Sequence, residues 1–351
     1  MRTSNIYKMN RFTPRPAVLS LQNPVAVITG ASSGLGRALA LKFSKEGYHL
    51  ALFSRRENEL EATRQICIEQ GAAAEAILIE SGDVTEADAL RLLAERVVAD
   101  YGHINVWVNA AAVFAGGSSE SIPIDDMKRV MDVNFFGYVN GARAAMTVFR
   151  VQGSGTLINI NSSIGVASLP YLSSYCASKA AAHAFDDALR MELSLERLEK
   201  NIQVCTVMPG VIDTNIYQNG ANYTGHTIEA LPPVYQPEYV ADAVFSLTHH
   251  PRRTLRVSPS AKGLVFSRIA FPRLYEYVLS RYTRRTMLSR QHIEMTTGNL
   301  YQPSRVHQGT HGGWAQKKLK GETLDKVLVV SAVVIVGGVF TLFAKTARVK
   351  K

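Results

Sequence analysis

Tyr175 and Lys179 stand four residues apart in Tyr175-Cys176-Ala177-Ser178-Lys179, a spacing that puts both side chains on one helical face. The chemistry open to them is proton transfer. A free phenol has a pKa of about 10 and is a poor base near neutrality. An ammonium beside it would favour the phenolate and lower that value. Tyr175 could then give a proton to a carbonyl oxygen or take one from an alcohol. Alone, Y-x-x-x-K is common by chance. Ser162, 13 positions upstream at the end of an apolar run, adds a hydroxyl that could hydrogen-bond a substrate oxygen. Ser163 is the alternative, pointing to the other face of a strand. Asn134 lies mid-helix in Asp132-Val133-Asn134-Phe135-Phe136-Gly137. Asn is a poor helix former, so an internal polar role suits it, such as holding a water next to Lys179.

A second group could cradle a phosphate. The apolar run Val25–Thr29 enters Gly30-Ala31-Ser32-Ser33-Gly34-Leu35-Gly36. Glycines here allow a tight strand-to-helix turn and let a pyrophosphate approach a helix N-terminus. The spacing is not G-x-G-x-x-G, because three residues separate the first two glycines. A plain structural turn is the alternative, and the position after a first strand argues against it. The second apolar run ends in Ser54-Arg55-Arg56. A carboxylate there would bind ribose hydroxyls and favour NAD(H). An arginine can instead pair with a 2′-phosphate, so NADP(H) is the expected cofactor. Arg55 is the first choice for that pairing, and Arg56 reads equally well as a solvated helix start.

The elements that must position these residues alternate regularly. Apolar runs at 25–29, 48–53, 76–79, 104–108, 156–160 and 202–207 are separated by helical patterns at 34–46, 57–70, 86–101, 124–150 and 173–200. This pattern predicts an α/β fold: a Rossmann-type, doubly wound parallel sheet in three α/β/α layers. Residues 209–235, rich in Gly, Pro, Asn and Tyr, read as a long loop that could lid a site. A helix over 237–249 and a last strand over 254–257 follow. The expected organisation is a flexible basic segment 1–23, a catalytic domain 24–260, a helical extension 261–295, a polar basic linker 296–326, an apolar segment 327–344 and a basic tail 345–351.

In its motifs the chain resembles the short-chain dehydrogenase/reductase family, of the classical type. The matching features are the glycine turn at 29–36, Asp83-Val84 after the third strand, Asn109 after the fourth, Asn134, Ser162, Tyr175, Lys179, and Pro209-Gly210 followed by Thr214. They occur in the family's order over residues 24–258. The resemblance implies Asn134, Ser162, Tyr175 and Lys179 as a catalytic tetrad. A positive oxidised nicotinamide would add to the pull on the Tyr175 proton. The resemblance also implies cofactor contacts from Gly30, Ser32, Ser33, Gly34, Leu35 and Gly36, from Arg55, Arg56, Asp83 and Val84, and from Tyr175, Lys179, Pro209 and Gly210. Asp83 would lie at the adenine ring, Asn109 would brace the central strand and cofactor, Lys179 would hold the nicotinamide ribose, and Ile212 and Thr214 its carboxamide. One departure is Asn109-Ala110-Ala111-Ala112, where the family has Asn-Asn-Ala-Gly. The extra methyl of Ala112 is expected to cause a small local shift. The resemblance further implies a homodimer or homotetramer, built on the two long helices, here 124–150 and 173–200.

Charge and hydropathy bear on location. At 19% charged and 46% hydrophobic residues, the composition excludes a disordered or collagen-like chain. The net charge of +10 is concentrated at the ends: +4 over 1–23 and +10 over 281–351, leaving −4 for 24–280. A basic nucleic-acid-binding domain is therefore not expected, whereas basic ends beside a membrane are. Residues 327–344 are 18 consecutive uncharged residues bracketed by Lys326 and Lys345. As a helix they would span about 27 Å, near the hydrocarbon thickness of a bilayer. A single transmembrane anchor is the favoured reading, and a buried helix at a domain edge is the alternative. No secretory signal is visible, and three widely spaced cysteines suggest neither disulfides nor a metal site, which places the catalytic domain in the cytoplasm. Substrate contacts are expected from Leu169, Tyr171, Ile216 and Tyr217, with Tyr223 nearby. This apolar, hydroxylated set suits a lipophilic ketone, aldehyde or alcohol, unless it merely packs the lid. The expected function is an NADP(H)-dependent oxidoreductase, and the alternative is a membrane-anchored, non-catalytic nucleotide-binding scaffold.

Overall fold

Strands that are apolar on both faces need cover on both. In β1 (Val25–Thr29), Val25 and Val27 enter one cluster with Trp107 and Phe149, while Ala26 and Ile28 enter another with Leu39 and Phe43. This alternation is the period-2 geometry of a strand buried between two layers. A computed structural model of the chain describes residues 23–304, 306 and 308–315.

Seven parallel strands form the sheet: β1, β2 (His49–Ser54), β3 (Ile77–Ser81), β4 (Val106–Asn109), β5 (Gly155–Ile160), β6 (Ile202–Met208) and β7 (Thr254–Arg256). Their spatial order is β7-β6-β5-β4-β1-β2-β3. The order reverses between β1 and β4, so the loops leaving these neighbours diverge and open a crevice at their carboxyl ends. Helices α1 (Gly34–Lys45) and α2 (Glu57–Glu69) cover one face. Helices α3 (Ala87–Tyr101), α4 (Ile124–Met131), α5 (Gly137–Gln152) and α6 (Ser173–Leu195) cover the other. Helix α7 (Pro237–Phe245) joins the α1 side through Val240 and Val244. The expected Rossmann-like α/β sheet is thus present.

A buried polar network fixes the sheet to α5 and α6. Asn109 Nδ2 donates to Asn159 Oδ1 (2.8 Å), and Asn159 Nδ2 donates to Asp186 Oδ1 (2.7 Å). The other Asp186 oxygen accepts from Tyr138 (2.7 Å) and Thr206 (2.5 Å). Burial raises the Asp186 pKa against the pull of these donors. Asn109 braces the central strands, as expected, but does not reach the cavity described below.

Local departures have physical causes. The helix expected over 124–150 is interrupted by a π-helical turn, Asp132–Phe136, which rotates Asn134 inward. The helix expected to reach 200 ends at Leu195, and Arg197 leaves it with φ +59°. The helical extension expected over 261–295 contains two helices, α8 (Pro259–Ala270) and α9 (Pro272–Thr286). Pro272 has no amide hydrogen to continue α8 but suits the first turn of α9. Strand Leu288–His292 then pairs with His226–Ile228 of the long loop. Among the described residues no helix is long and apolar enough to cross a membrane, and 327–344 lies outside them.

Candidate active site

The crevice continues into a cavity of ≈ 330 Å³. Its lining includes the glycine turn after β1, Arg55 and Arg56 after β2, Asp83 and Val84 after β3, Ser162 after β5 with Tyr175 and Lys179 of α6, and apolar side chains packed beside Tyr175.

The glycine turn is shaped by steric need. Gly30 has φ +71°, which L side chains rarely adopt, and a Cβ on Gly36 would stand 2.1 Å from the Gly30 carbonyl oxygen. Thr29 Oγ1 accepts from the backbone amides of Ala110 (3.1 Å) and Ala111 (3.3 Å), which ties the turn to the loop after β4. Ala110, Ala111 and Ala112 all line the cavity. Ser33 opens α1 without a side-chain cap, leaving its first amides to other partners. This Cβ-free cradle, a helix N-terminus and two guanidiniums form a donor set that fits a phosphate-bearing dinucleotide.

Around the proton-transfer pair, Lys179 is buried and donates from Nζ to the Ile160 carbonyl (3.0 Å), 5.7 Å from the centre of the Tyr175 ring. Burial lowers its pKa to about 8, with Asp186 opposing part of the shift. Burial likewise raises the Tyr175 pKa above its ordinary 10, helped by Tyr217 and Cys176. The direction is opposite to the lowering expected from Lys179: desolvation of the phenolate sets it, and Tyr217 and Cys176 add to it. Ser162 Oγ, on the cavity wall, accepts a long bond from the Ile164 amide (3.4 Å). Ser163, buried, donates its hydroxyl to the Pro209 carbonyl (2.9 Å).

Asn134 is buried and has the internal polar role expected of it. Its Oδ1 accepts from the Val113 amide (2.8 Å), and its Nδ2 donates to the Val113 carbonyl (2.9 Å) and to Ser178 Oγ (3.2 Å). The side chain thus clamps the loop after β4, and it does not line the cavity.

Leu169, Ile216 and Tyr217 line the cavity, as do Pro209, Gly210, Ile212 and Thr214. Tyr171 and Tyr223 do not. Tyr171 has φ +66° and its carbonyl accepts from the Gly117 amide (2.9 Å), so it turns the chain. The Tyr223 hydroxyl donates to the Asp126 carboxylate. The apolar wall instead uses residues the sequence did not single out: Leu264, Val278, Leu279 and Tyr282 of α8 and α9, with Leu231 and Met287. Tyr275 anchors this wall by donating to the carbonyls of Ala167 (2.7 Å) and Ser168 (2.8 Å). The sequence marked 261–295 as a helical extension and did not assign it to the cavity.

The polar stretch from 296, expected to be a linker, runs across the cavity mouth as far as it is described. Arg55 donates to the carbonyls of Asn299 (2.7 Å), Leu300 (3.2 Å) and Tyr301 (3.3 Å). Arg129 joins the Leu300 carbonyl (3.0 Å) to Asp83 (2.5 Å). Burial would raise the Asp83 pKa, but the Thr85 amide and Arg129 together hold it below its ordinary value. The Gly34 amide donates to the Gly309 carbonyl (2.9 Å), and the Asp213 carboxylate accepts from the amides of Gly312 (3.1 Å) and Trp314 (2.7 Å). The Trp314 ring packs edge-on against Tyr217. Of this strap only Trp314, a lone tryptophan in a polar stretch, signalled docking.

Comparison with known proteins agrees with this geometry. Residues 24–222 match the family model described as short chain dehydrogenase. The chain is 31% identical over 338 residues to "Uncharacterized oxidoreductase YxnA" of Bacillus subtilis, covering 93% of this chain and 92% of that one. It is 34% identical over 252 residues to "Probable oxidoreductase EphD" of Mycobacterium tuberculosis, covering 68% of this chain but 41% of the relative's length. Among solved structures, a short-chain dehydrogenase from Streptomyces avermitilis superposes with a TM-score of 0.61 at 26% identity, covering 76% of this chain and 99% of that one. An alcohol dehydrogenase from Thermococcus sibiricus, complexed with 5-hydroxy-NADP, shares the fold with a TM-score of 0.57 at 24% identity, covering 67% and 95%. With the family model spanning more than half the chain, the Rossmann-like sheet and the glycine cradle, the protein belongs to the short chain dehydrogenase family of nicotinamide-dependent oxidoreductases.

Proposed function

We propose that the protein is an NADP(H)-dependent oxidoreductase that interconverts a lipophilic ketone or aldehyde and the corresponding alcohol. The observation that carries this reading is one continuous cavity lined by two arginines, a glycine cradle, Ser162, Tyr175, Lys179 and an apolar wall. When bound, the nicotinamide supplies or accepts the hydride. Ser162 is placed to hydrogen-bond the substrate oxygen, and Tyr175 to donate a proton to it or remove one. The raised Tyr175 pKa keeps the phenol protonated at neutral pH, which suits reduction. Lys179 carries its charge below about pH 8 and supports Tyr175 electrostatically. Leu264, Val278 and Leu279 exclude water from the apolar wall, which favours a substrate with an apolar body.

A screen of apolar and water-soluble carbonyls, following NADPH and NADH consumption side by side, tests the reading. Turnover of apolar ketones or aldehydes with NADPH is the expected result. Activity confined to small, water-soluble carbonyls, or equal use of NADH, would count against it.

The segment 327–344 is further proposed as a single-pass carboxyl-terminal anchor that holds a cytoplasmic catalytic domain near a lipophilic substrate pool. Deleting 324–351 is expected to move the protein from the membrane pellet to the soluble fraction with nucleotide affinity unchanged. A truncated protein that still pellets would place the membrane contact elsewhere. A homodimer or homotetramer through α5 and α6 is supported by the exposed Met191 and Leu195 on α6 and Phe136 just before α5.

A further inference from the structure

Two arginines follow β2, and the structure gives them different partners. The Arg55 guanidinium uses both terminal nitrogens on three consecutive strap carbonyls, those of Asn299, Leu300 and Tyr301. Arg129 reinforces the same point by donating to the Leu300 carbonyl while paired with Asp83. The Tyr301 hydroxyl donates to Asp126 (2.7 Å), and Asp126 also accepts from Tyr223. This end of the strap is therefore held by Arg55, just after β2, and by Arg129 and Asp126 of α4. Arg56 is engaged more lightly. One nitrogen donates to the Ser304 carbonyl (3.1 Å), and the other lies 3.3 Å from Ser32 Oγ. Ser32 belongs to the glycine turn, and both it and Arg56 line the cavity. A serine hydroxyl can rotate to serve an incoming anion, whereas a carbonyl already bound to Arg55 offers an anion only repulsion. Glu59, the acid near Arg56, is itself paired with Arg37 (2.8 Å).

We propose that Arg56, together with Ser32, is the group that discriminates a 2′-phosphate from a 2′-hydroxyl, and that Arg55 is a positioning residue that latches the strap over the nucleotide cleft. This rests on the NADP(H) reading and reverses the order of the two arginines suggested by the sequence. The strap then serves as a wall of the adenosine end, with Asn299, Pro303 and Ser304 facing the cavity. Losing the latch should affect both nucleotides alike, because the strap carbonyls do not distinguish them. Losing the phosphate partner should affect one.

Dissociation constants and dissociation rates of NADPH and NADH, measured by fluorescence titration and stopped flow on the full chain, separate the roles. Arg56→Ala is expected to weaken NADPH about 10- to 100-fold, the loss of charge-assisted hydrogen bonds, and to leave NADH within about threefold. Arg55→Ala is expected to speed dissociation of both nucleotides by a similar factor, leaving their affinity ratio unchanged. It should also increase amide hydrogen exchange over 299–304 in the nucleotide-free protein. Arg55→Lys keeps the charge but lacks the planar fork that reaches three carbonyls, so it should behave like Arg55→Ala. If Arg55→Ala alone abolishes the preference for NADPH and Arg55→Lys restores it, Arg55 is the phosphate partner and the proposal is overturned. An Arg56→Ala protein that keeps the parental preference overturns it too. A parental protein that binds NADH as tightly as NADPH would instead refute the NADP(H) reading on which the assignment rests.

Discussion

Tyr175→Phe is expected to lower carbonyl reduction by about 10²- to 10⁴-fold, the range for removing a positioned acid–base group. Nucleotide affinity should stay within about tenfold. The substitution removes only an oxygen. The ring keeps its packing against Phe114 (5.9 Å between centres) and under the Lys179 ammonium, so the fold should be intact. The effect is large because Tyr175 lies on the cavity wall between Ser162 and Lys179, and the substitution leaves that position without a proton donor. Single-turnover reduction at saturating NADPH checks this, with nucleotide affinity measured in parallel. Loss of less than tenfold would remove Tyr175 from the chemistry. An unchanged cellular function would favour a non-catalytic scaffold.

Lys179→Met should have the opposite signs for activity and stability. Activity should be lost with the ammonium that supports Tyr175. The nucleotide-free protein, however, should become more stable at pH 7. The Lys179 pKa is lowered from 10.5 to about 8, mainly by burial. Between those values the unfolded chain holds a proton that the folded chain does not, so stability rises with pH across the window. Below about pH 8 the penalty of burying the charge is fully present, on the order of 3 kcal/mol, and above 10.5 it is gone. Methionine removes that penalty but leaves the Ile160 carbonyl without its donor, a loss of about 1 kcal/mol. The net expectation is about 2 kcal/mol of stabilisation at pH 7, shrinking towards pH 10. Urea unfolding of both proteins at pH 7, 9 and 10 measures it. A stability difference between the two proteins that does not shrink between pH 8 and 10 would show that Lys179 is not held in a charge-averse site; the difference cancels the buried cysteines and tyrosines, which titrate in the same window in both.

The tyrosine–lysine pair, the glycine turn, the two arginines and the six apolar runs could be read from residue types alone. Each depends on a property its residue carries everywhere: a titratable proton, a missing Cβ, a fixed charge, or an apolar surface with a regular period. The strand ends therefore converge where the sequence places them, and Gly30, Ser162, Tyr175 and Lys179 line one cavity. Roles that depend on neighbours could not be read in this way. Desolvation shifts the Tyr175 pKa upwards, where the neighbouring lysine alone suggested the opposite direction. Asn134 clamps Val113 because a π-helical turn rotates it inward. The apolar wall comes from α8 and α9, which the sequence marked as a helical extension without a partner. Least legible was the strap. Arg55 is held there by the carbonyls of Asn299, Leu300 and Tyr301, groups that every residue carries. Nothing in the residue types of that stretch marks a contact made by the main chain, so only the tertiary structure could bring the strap to the nucleotide cleft.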